Sequence, residues 1–428
     1  MSSFAGRVAG TFTRSRFTQN VAILGGGTAL AQGLLVLASP VLTRLYSPRD
    51  MGLTGLYVAY AGFITVAVSL RYDTAIVSAT DTCEAAHLAV VSLALLLPCS
   101  LIFAAVLYGM VRFAVLGYGQ LPTYTMYFII PFVLLTGAFG ALRYWFIREE
   151  SLGNVSKALV AQNGARSLVQ IIFGALQMGW VGLVGGDLLG RSVGIGGMLR
   201  TAWPRIAREV FPLKRAEIVK VLGSYRKFPI YSLPSALIDT LALSLPLPLI
   251  ADLYGPDSAG HFSLVLRVLS LPLALVGTSV ADSFHGRMAA RVREEPSSSV
   301  RFFYRTARGL FFVGVGPAIL LMVFGENIFR LIFGQNWAIA GKLATAIAPW
   351  SLTQLIVSPL SRVVYVLQGQ ELKLLYDLAS LLFTVGAIFV GHAVGFSLFH
   401  TVFWLSLSNV VANGLYFALL IRVVTRES

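Results

Sequence analysis

The chain has 428 residues, of which 56% are apolar and only 12% are Asp, Glu, Lys or Arg. A soluble globule carries about 25% charged residues and 45–50% apolar ones, and a mean hydropathy of +0.77 leaves too little polar surface to coat one. The 41 Gly and 17 Pro are spread evenly, which excludes a coiled coil or a collagen repeat, so the composition is that of a polytopic membrane protein with a net charge of +14.

About 20 apolar residues cross roughly 30 Å of hydrocarbon at 1.5 Å per residue. Twelve such stretches follow one another, near 20–43, 53–72, 85–109, 124–147, 155–176, 179–200, 229–251, 261–284, 306–325, 340–362, 372–391 and 396–421. Backbone groups cannot go unpaired in lipid, and these runs are too long for barrel strands, so each is predicted to be a helix. Arg14 and Arg16 before the first run imitate a signal peptide, but the run is long and leads into further spans, so it is predicted as a retained first helix.

Lys and Arg in short loops stay on the cytoplasmic side. With a cytoplasmic N-terminus, 25 of the 33 basic residues fall on that side; only Arg44, Arg49, Arg112, Arg330 and Lys342 fall opposite, and Arg166, Arg191 and Arg267 lie inside spans. Twelve spans with both termini cytoplasmic are therefore expected. The positive charge is explained by loops facing anionic headgroups and calls for no nucleic-acid partner. Cys83 and Cys99 lie about 24 Å apart along one helix, beyond disulfide reach, and no metal-ligand spacing, phosphate loop or nucleophile elbow is present. Gly25-Gly26-Gly27 falls within the first span, where close helix packing is the simpler reading.

Leu45-Tyr46-Ser47-Pro48-Arg49-Asp50-Met51-Gly52 and Leu253-Tyr254-Gly255-Pro256-Asp257-Ser258-Ala259-Gly260 share the pattern L-Y-x-P-x-x-x-G, 208 residues apart. Each follows an odd-numbered span and precedes an even-numbered one. Two six-helix lobes in parallel orientation around a central cavity are predicted: residues 1–200, an amphipathic basic linker at 201–228, and residues 229–428. Prolines weaken or bend helices, and Pro246 with Pro248 in the seventh span are the expected hinge.

An ionisable group near the bilayer centre costs several kcal/mol unless it pairs or faces a wet cavity. Arg166, Arg191 and Asp239 fall near the middle of the fifth, sixth and seventh spans, Arg267 lies nearer the outer surface in the eighth, and Arg71 ends the second at the inner surface. A ladder of guanidinium groups suits an anionic headgroup such as a pyrophosphate. Structural readings compete: Asp187 and Arg191 are spaced i,i+4, Asp73 follows Arg71, and Arg71 at a helix end can snorkel. Arg166 and Arg267 have no acidic neighbour on their own helices and are the strongest candidates. Asp239 is either their counter-ion or a protonatable coupling group. Most aromatics fit the interfacial belt, with Tyr57 and Tyr60 open to sugar stacking.

The runs Asn20–Gln32 (NVAILGGGTALAQ), Pro40–Pro48 (PVLTRLYSP), Leu70–Asp73 (LRYD), Arg267–Leu273 (RVLSLPL) and Phe333–Gly341 (FGQNWAIAG) resemble the O-antigen and polysaccharide repeat-unit flippases of the multidrug/oligosaccharidyl-lipid/polysaccharide exporter superfamily. The resemblance implies translocation of an undecaprenyl-pyrophosphate-linked oligosaccharide to the outer leaflet of a bacterial inner membrane, through a cationic cavity, with membrane lipids, a polysaccharide polymerase and assembly proteins as partners. No cofactor is expected, while coupling to an H+ or Na+ gradient stays open because Asp239 and Asp282 stand where uncharged polar residues are expected. A cation-coupled drug exporter is the alternative, disfavoured by more Arg than acid within the spans. A membrane polymerase or glycosyltransferase is disfavoured by the short outer loops.

Overall fold

The computed structural model describes residues 25–212, 215–294, 298–367 and 370–426, and every regular element among them is helical. In chain order the helices are α1 (Gly25–Leu45), α2 (Pro48–Thr65), α3 (Thr82–Arg112), α4 (Thr125–Arg148), α5 (Leu152–Ala175), α6 (Gly179–Val210) and α7 (Arg215–Ser224). They continue with α8 (Leu233–Ser244), α9 (Pro246–Tyr254), α10 (Pro256–Pro272), α11 (Thr278–Glu294), α12 (Ser299–Phe333), α13 (Ala338–Leu360), α14 (Gln370–Ala393) and α15 (Leu398–Arg426).

Each of the twelve predicted spans meets helix in its described part. Among the described residues, α1, α3, α4, α12, α14, α15 and the stretch Gln335–Leu360 are long and apolar enough to cross a bilayer by length and composition. The other spans fail that test for visible reasons. Lys157, Asn163, Arg166 and Asp187 interrupt α5 and α6; the seventh span is divided at Leu245 by Pro246, and the eighth ends α10 at Pro272 and widens into a π turn over Leu273–Gly277 before α11. The sixth-span helix runs on to Val210, ten residues past its predicted end, because Ala202, Ile206 and Val210 keep a buried i,i+4 stripe.

The chain forms two compact units. One holds the described residues up to Ala38, with Tyr57–Val115 and Leu121–Leu241; the other holds Ser39–Leu56, Leu116–Gln120 and the chain from Ala242 onward. The first packs a core around Trp145, Phe146, Val155 and Met198. The second packs one around Phe284, Phe303, Leu360 and Tyr416.

Both copies of the repeated motif lie in the second unit, and their prolines begin α2 and α10. Pro is favoured at a helix start because its missing N–H is one that helix geometry leaves unpaired. Ser47 and Asp50 cap α2 reciprocally: Ser47 N–H donates to Asp50 Oδ2 (3.0 Å) and Asp50 N–H to Ser47 Oγ (3.2 Å). The motif glycines explain themselves by contact. A Cβ on Gly52 would lie 1.9 Å from Pro256 O, and one on Gly260 would lie 1.8 Å from Pro48 O. This reciprocal meeting is what a local two-fold relation between the copies requires. Trp337 Nε1 ties down the same region by donating to Thr43 O at 2.8 Å.

Candidate functional site

In the first unit, α5 and α6 approach with almost no side chains between them. Gly186, Gly190 and Gly194 repeat at four-residue spacing, and Cβ atoms there would strike Gln170 N (3.0 Å), Arg166 Cα (2.7 Å) and Ala158 O (2.9 Å). A small-x-x-x-small stripe lets backbones come this close. It sets Arg166 against the turn of α6 that carries Asp187 and Arg191.

Asp187 is buried, and each of its oxygens takes one guanidinium: Arg166 Nη1 lies 3.0 Å from Oδ1, and Arg191 Nε donates to Oδ2 at 2.9 Å. Arg191 Nη1 also donates to Thr136 Oγ1 (3.1 Å), and its Cζ lies 4.6 Å above the ring of Phe132. Two cations on one carboxylate leave the cluster with a net positive charge. Both guanidinium side chains keep some solvent access, 17% for Arg166 and 22% for Arg191, against 3% for Asp187. Arg166 is thus not the uncompensated charge that its own helix suggested; its counter-ion comes from the next helix.

The remaining predicted residues are placed as follows. Arg71 does not end a helix: α2 stops at Thr65, and Leu70 (φ 49°) and Arg71 (φ 66°) both adopt the left-handed region, which costs about 1–2 kcal/mol for each non-glycine residue. Its Nε is buried without a hydrogen-bond partner, and Thr74 Oγ1 donates to its carbonyl (2.7 Å). Arg267 lies on α10 in the second unit, half-buried, with Ser270 Oγ donating to its carbonyl. Asp239 belongs to α8, and its side chain lies outside the described set. Pro246 opens α9 at the break in the seventh span, and Pro248 is buried, its carbonyl 2.5 Å from where a Cβ on Gly117 would stand. Tyr57 and Tyr60 are closed to sugar, since both are buried and donate to Phe128 O (3.1 Å) and Phe103 O (2.6 Å). Gly27 packs against Ser156, while Gly25 and Gly26 face open space.

A second site was not foreseen. In the second unit, α12, α13 and α15 flank an open cavity of about 730 Å³ lined by the exposed Arg301, Arg305 and Arg308 and by Tyr304, Phe311 and Phe417 among others. The arginines recur at i, i+4 and i+7 and so share one helix face. None of the described residues lining the cavity is acidic. Its inner wall reaches Thr353 and Asn413, where Asn413 Nδ2 donates to Thr353 Oγ1 (2.9 Å) and Tyr376 OH to Asn413 Oδ1 (2.5 Å). Further along α15, Asn409 Nδ2 donates to Thr384 Oγ1 (3.0 Å). Uncharged amides thus carry a hydrogen-bonded network between α13, α14 and α15. The volume lies within the range usual for small-molecule sites, roughly 300–1,000 Å³. The sequence signal was the Arg-x3-Arg-x2-Arg spacing itself.

The fold is that of the MATE transporters of the MOP superfamily. An inward-facing multidrug resistance MATE family transporter matches with a TM-score of 0.71 at 16% identity, covering 92% of this chain and 95% of that one. A variant of the Vibrio cholerae MATE transporter VcmN matches at 0.57 and 14%, covering 97% of both chains. A MOP superfamily transporter from Pyrococcus furiosus, described as having a binding pocket of reverse polarity, matches at 0.55 and 15%, over 95% of this chain and 96% of that one. No curated protein matches the chain at a significant level. The family model for polysaccharide biosynthesis proteins matches residues 41–341. The chain belongs to that family, as a multi-pass membrane protein.

Proposed function

We propose that the chain exports an undecaprenyl-pyrophosphate-linked oligosaccharide across the bacterial inner membrane by alternating access, with both termini cytoplasmic and without catalysing a reaction. The observation that carries this reading is the cavity of Arg301, Arg305 and Arg308. With both termini cytoplasmic, as the loop charges favour, it would face the cytoplasmic headgroups, where a lipid-linked substrate would be loaded. Guanidinium groups bind pyrophosphate oxygens in bidentate fashion, and the rings of Tyr304, Phe311 and Phe417 offer an apolar wall to the adjoining isoprenoid. The net positive cluster of Arg166, Asp187 and Arg191, with Arg71 and Arg267, supplies further cationic ground for the headgroup. Membrane lipids, a polymerase and assembly proteins are the expected partners, and Asp239 is the group through which an H+ or Na+ gradient would couple.

A cavity walled by three arginines and no described acid repels cationic drugs, which sets the multidrug reading second. The decisive experiment uses cells in which this chain is the sole exporter for a surface glycan. The variant Arg301→Gln/Arg305→Gln/Arg308→Gln loses three charge-assisted contacts of about 1.5–3 kcal/mol each, so glycan export should fall at least tenfold at unchanged protein level. Undiminished export, or efflux of a cationic dye by the wild-type chain, contradicts the assignment.

A further inference from the structure

Within the first unit, α7 and Tyr225 just after it are held against their neighbours by polar contacts that include the following three. Tyr72 OH donates to Leu222 O (3.4 Å), Tyr225 OH donates to Glu84 Oε2 (2.9 Å), and His87 Nε2 faces Glu217 Oε2 at 3.2 Å. The third contact differs in kind from the others. His87 is only 1% exposed, and its Nδ1 sits 2.8 Å from the carbonyl oxygen of Cys83, an atom that can only accept, so Nδ1 bears the proton. In the neutral ring Nε2 therefore presents a lone pair, and no hydrogen-bond donor meets it. What faces it is a carboxylate oxygen, and two acceptors at that distance repel unless positive charge lies between them.

A second ring proton satisfies that pair but assigns nothing to the neighbouring sulfur. Cys83 stands one turn before His87, and its sulfur has only weak partners: Sγ lies 3.5 Å from His87 Nδ1 and donates to Glu209 O at 3.6 Å. One donor atom each from Cys83, His87 and Glu217 lies within 4.8 Å of the other two.

We propose that Cys83, His87 and Glu217 bind one divalent transition-metal ion of the zinc type, which staples α7 to the start of α3. Thiolate, imidazole and carboxylate form a borderline-soft donor set, with bonds of about 2.0–2.3 Å to Zn2+. The half-exposed Glu217 and the first-turn Cys83 can close the remaining gap by side-chain rotation. The Nδ1–H to carbonyl bond is the outer-shell contact that fixes a ligating histidine's tautomer. On binding, the Cys83 thiol loses its proton to solvent as the metal–sulfur bond forms. Three protein ligands leave a fourth position for water, so the ion exchanges with the medium. The spacing concealed the site: Cys83 and His87 share a helix face at i,i+4, but Glu217 arrives 130 residues later.

The test uses the full-length protein, purified in detergent and stripped of metal. Titration with Co2+ should saturate at one equivalent and raise a thiolate-to-cobalt charge-transfer band in the near ultraviolet, kept in Cys99→Ala and lost in Cys83→Ser. His87→Gln and Glu217→Gln should each weaken Co2+ binding at least tenfold. The Cys99→Ala protein, with Cys83 as its sole cysteine, provides a measurement that alters no ligand: Zn2+, but not Mg2+, should slow maleimide labelling of Cys83 at least tenfold. Absence of the band together with labelling indifferent to Zn2+ overturns the proposal and leaves His87 and Glu217 as a proton-bridged ion pair.

Discussion

Replacing Asp187 by Asn keeps the side chain's shape and removes the one charge that holds two guanidiniums together. The change breaks an aligned charge-assisted hydrogen bond to Arg191 (2.9 Å) and an ion contact with Arg166 (3.0 Å). Removing one partner from a buried ion pair costs about 3–5 kcal/mol. The guanidinium side chains here are 17% and 22% exposed, so water and counter-ions recover part of that. The expected loss is therefore about 3 kcal/mol, toward the lower end. At roughly 2–4 °C per kcal/mol for a unit of this size, the apparent Tm of the detergent-purified protein should fall by roughly 6–12 °C. Two controls separate electrostatics from general damage. Asp187→Asn/Arg191→Gln, with one cation left, should recover at least half of the loss, and added salt should raise the Tm of Asp187→Asn more than that of wild type by screening the facing cations. A single variant as stable as wild type, or a double variant no better than the single, refutes the idea that Asp187 neutralises both arginines.

Gly190→Ala places a methyl 2.7 Å from Arg166 Cα, so α5 and α6 must part by several tenths of an ångström; thermal unfolding should show a loss of about 1–3 kcal/mol, and combination with Asp187→Asn should be less than additive because both loosen the same contact. Gly52→Ala and Gly260→Ala each drive a methyl into a carbonyl oxygen at 1.9 Å and 1.8 Å, where ordinary contact begins near 3.4 Å. Each should cost about 3 kcal/mol or more and sharply lower the yield of monodisperse protein on size exclusion, whereas Gly223→Ala on α7, which meets open space, should be neutral or stabilising by about 0.5–1 kcal/mol.

The helical character of the spans was legible because lipid imposes a one-dimensional rule: a long apolar run must satisfy its own backbone, and only a helix does so. The repeat was legible for a related reason, since Pro and Gly at fixed offsets report a helix start and a close approach, and Gly52 and Gly260 meet each other. The Asp187–Arg191 pair also lay within one helix and within reach of spacing rules. Arg166 did not. Its partner depends on the register between α5 and α6, which Gly186, Gly190 and Gly194 set by admitting the backbone of Ala158 to Gln170. Arg71 was misplaced because nothing in a run of apolar residues announces two consecutive left-handed residues.

The cavity arginines were missed for a more instructive reason. Arg301 and Arg305 fell before the predicted start of the ninth span at 306, Arg308 fell just inside it, and all three were counted as loop charge, yet α12 begins at Ser299 and carries them as one helical face. Hydropathy places a helix where the apolar window begins, so it removes from view the polar turns at the membrane boundary. On the proposed function, those turns are where the anionic headgroup would need cations. The same logic bears on α5 and α6, which fail a plain apolar-span test because Lys157, Asn163, Arg166 and Asp187 interrupt them. A helix that served only to cross lipid would shed those residues at a gain of several kcal/mol for each buried charge. That they stand in the helices packed backbone to backbone by a glycine stripe indicates that the close approach serves to hold the charged cluster in one geometry.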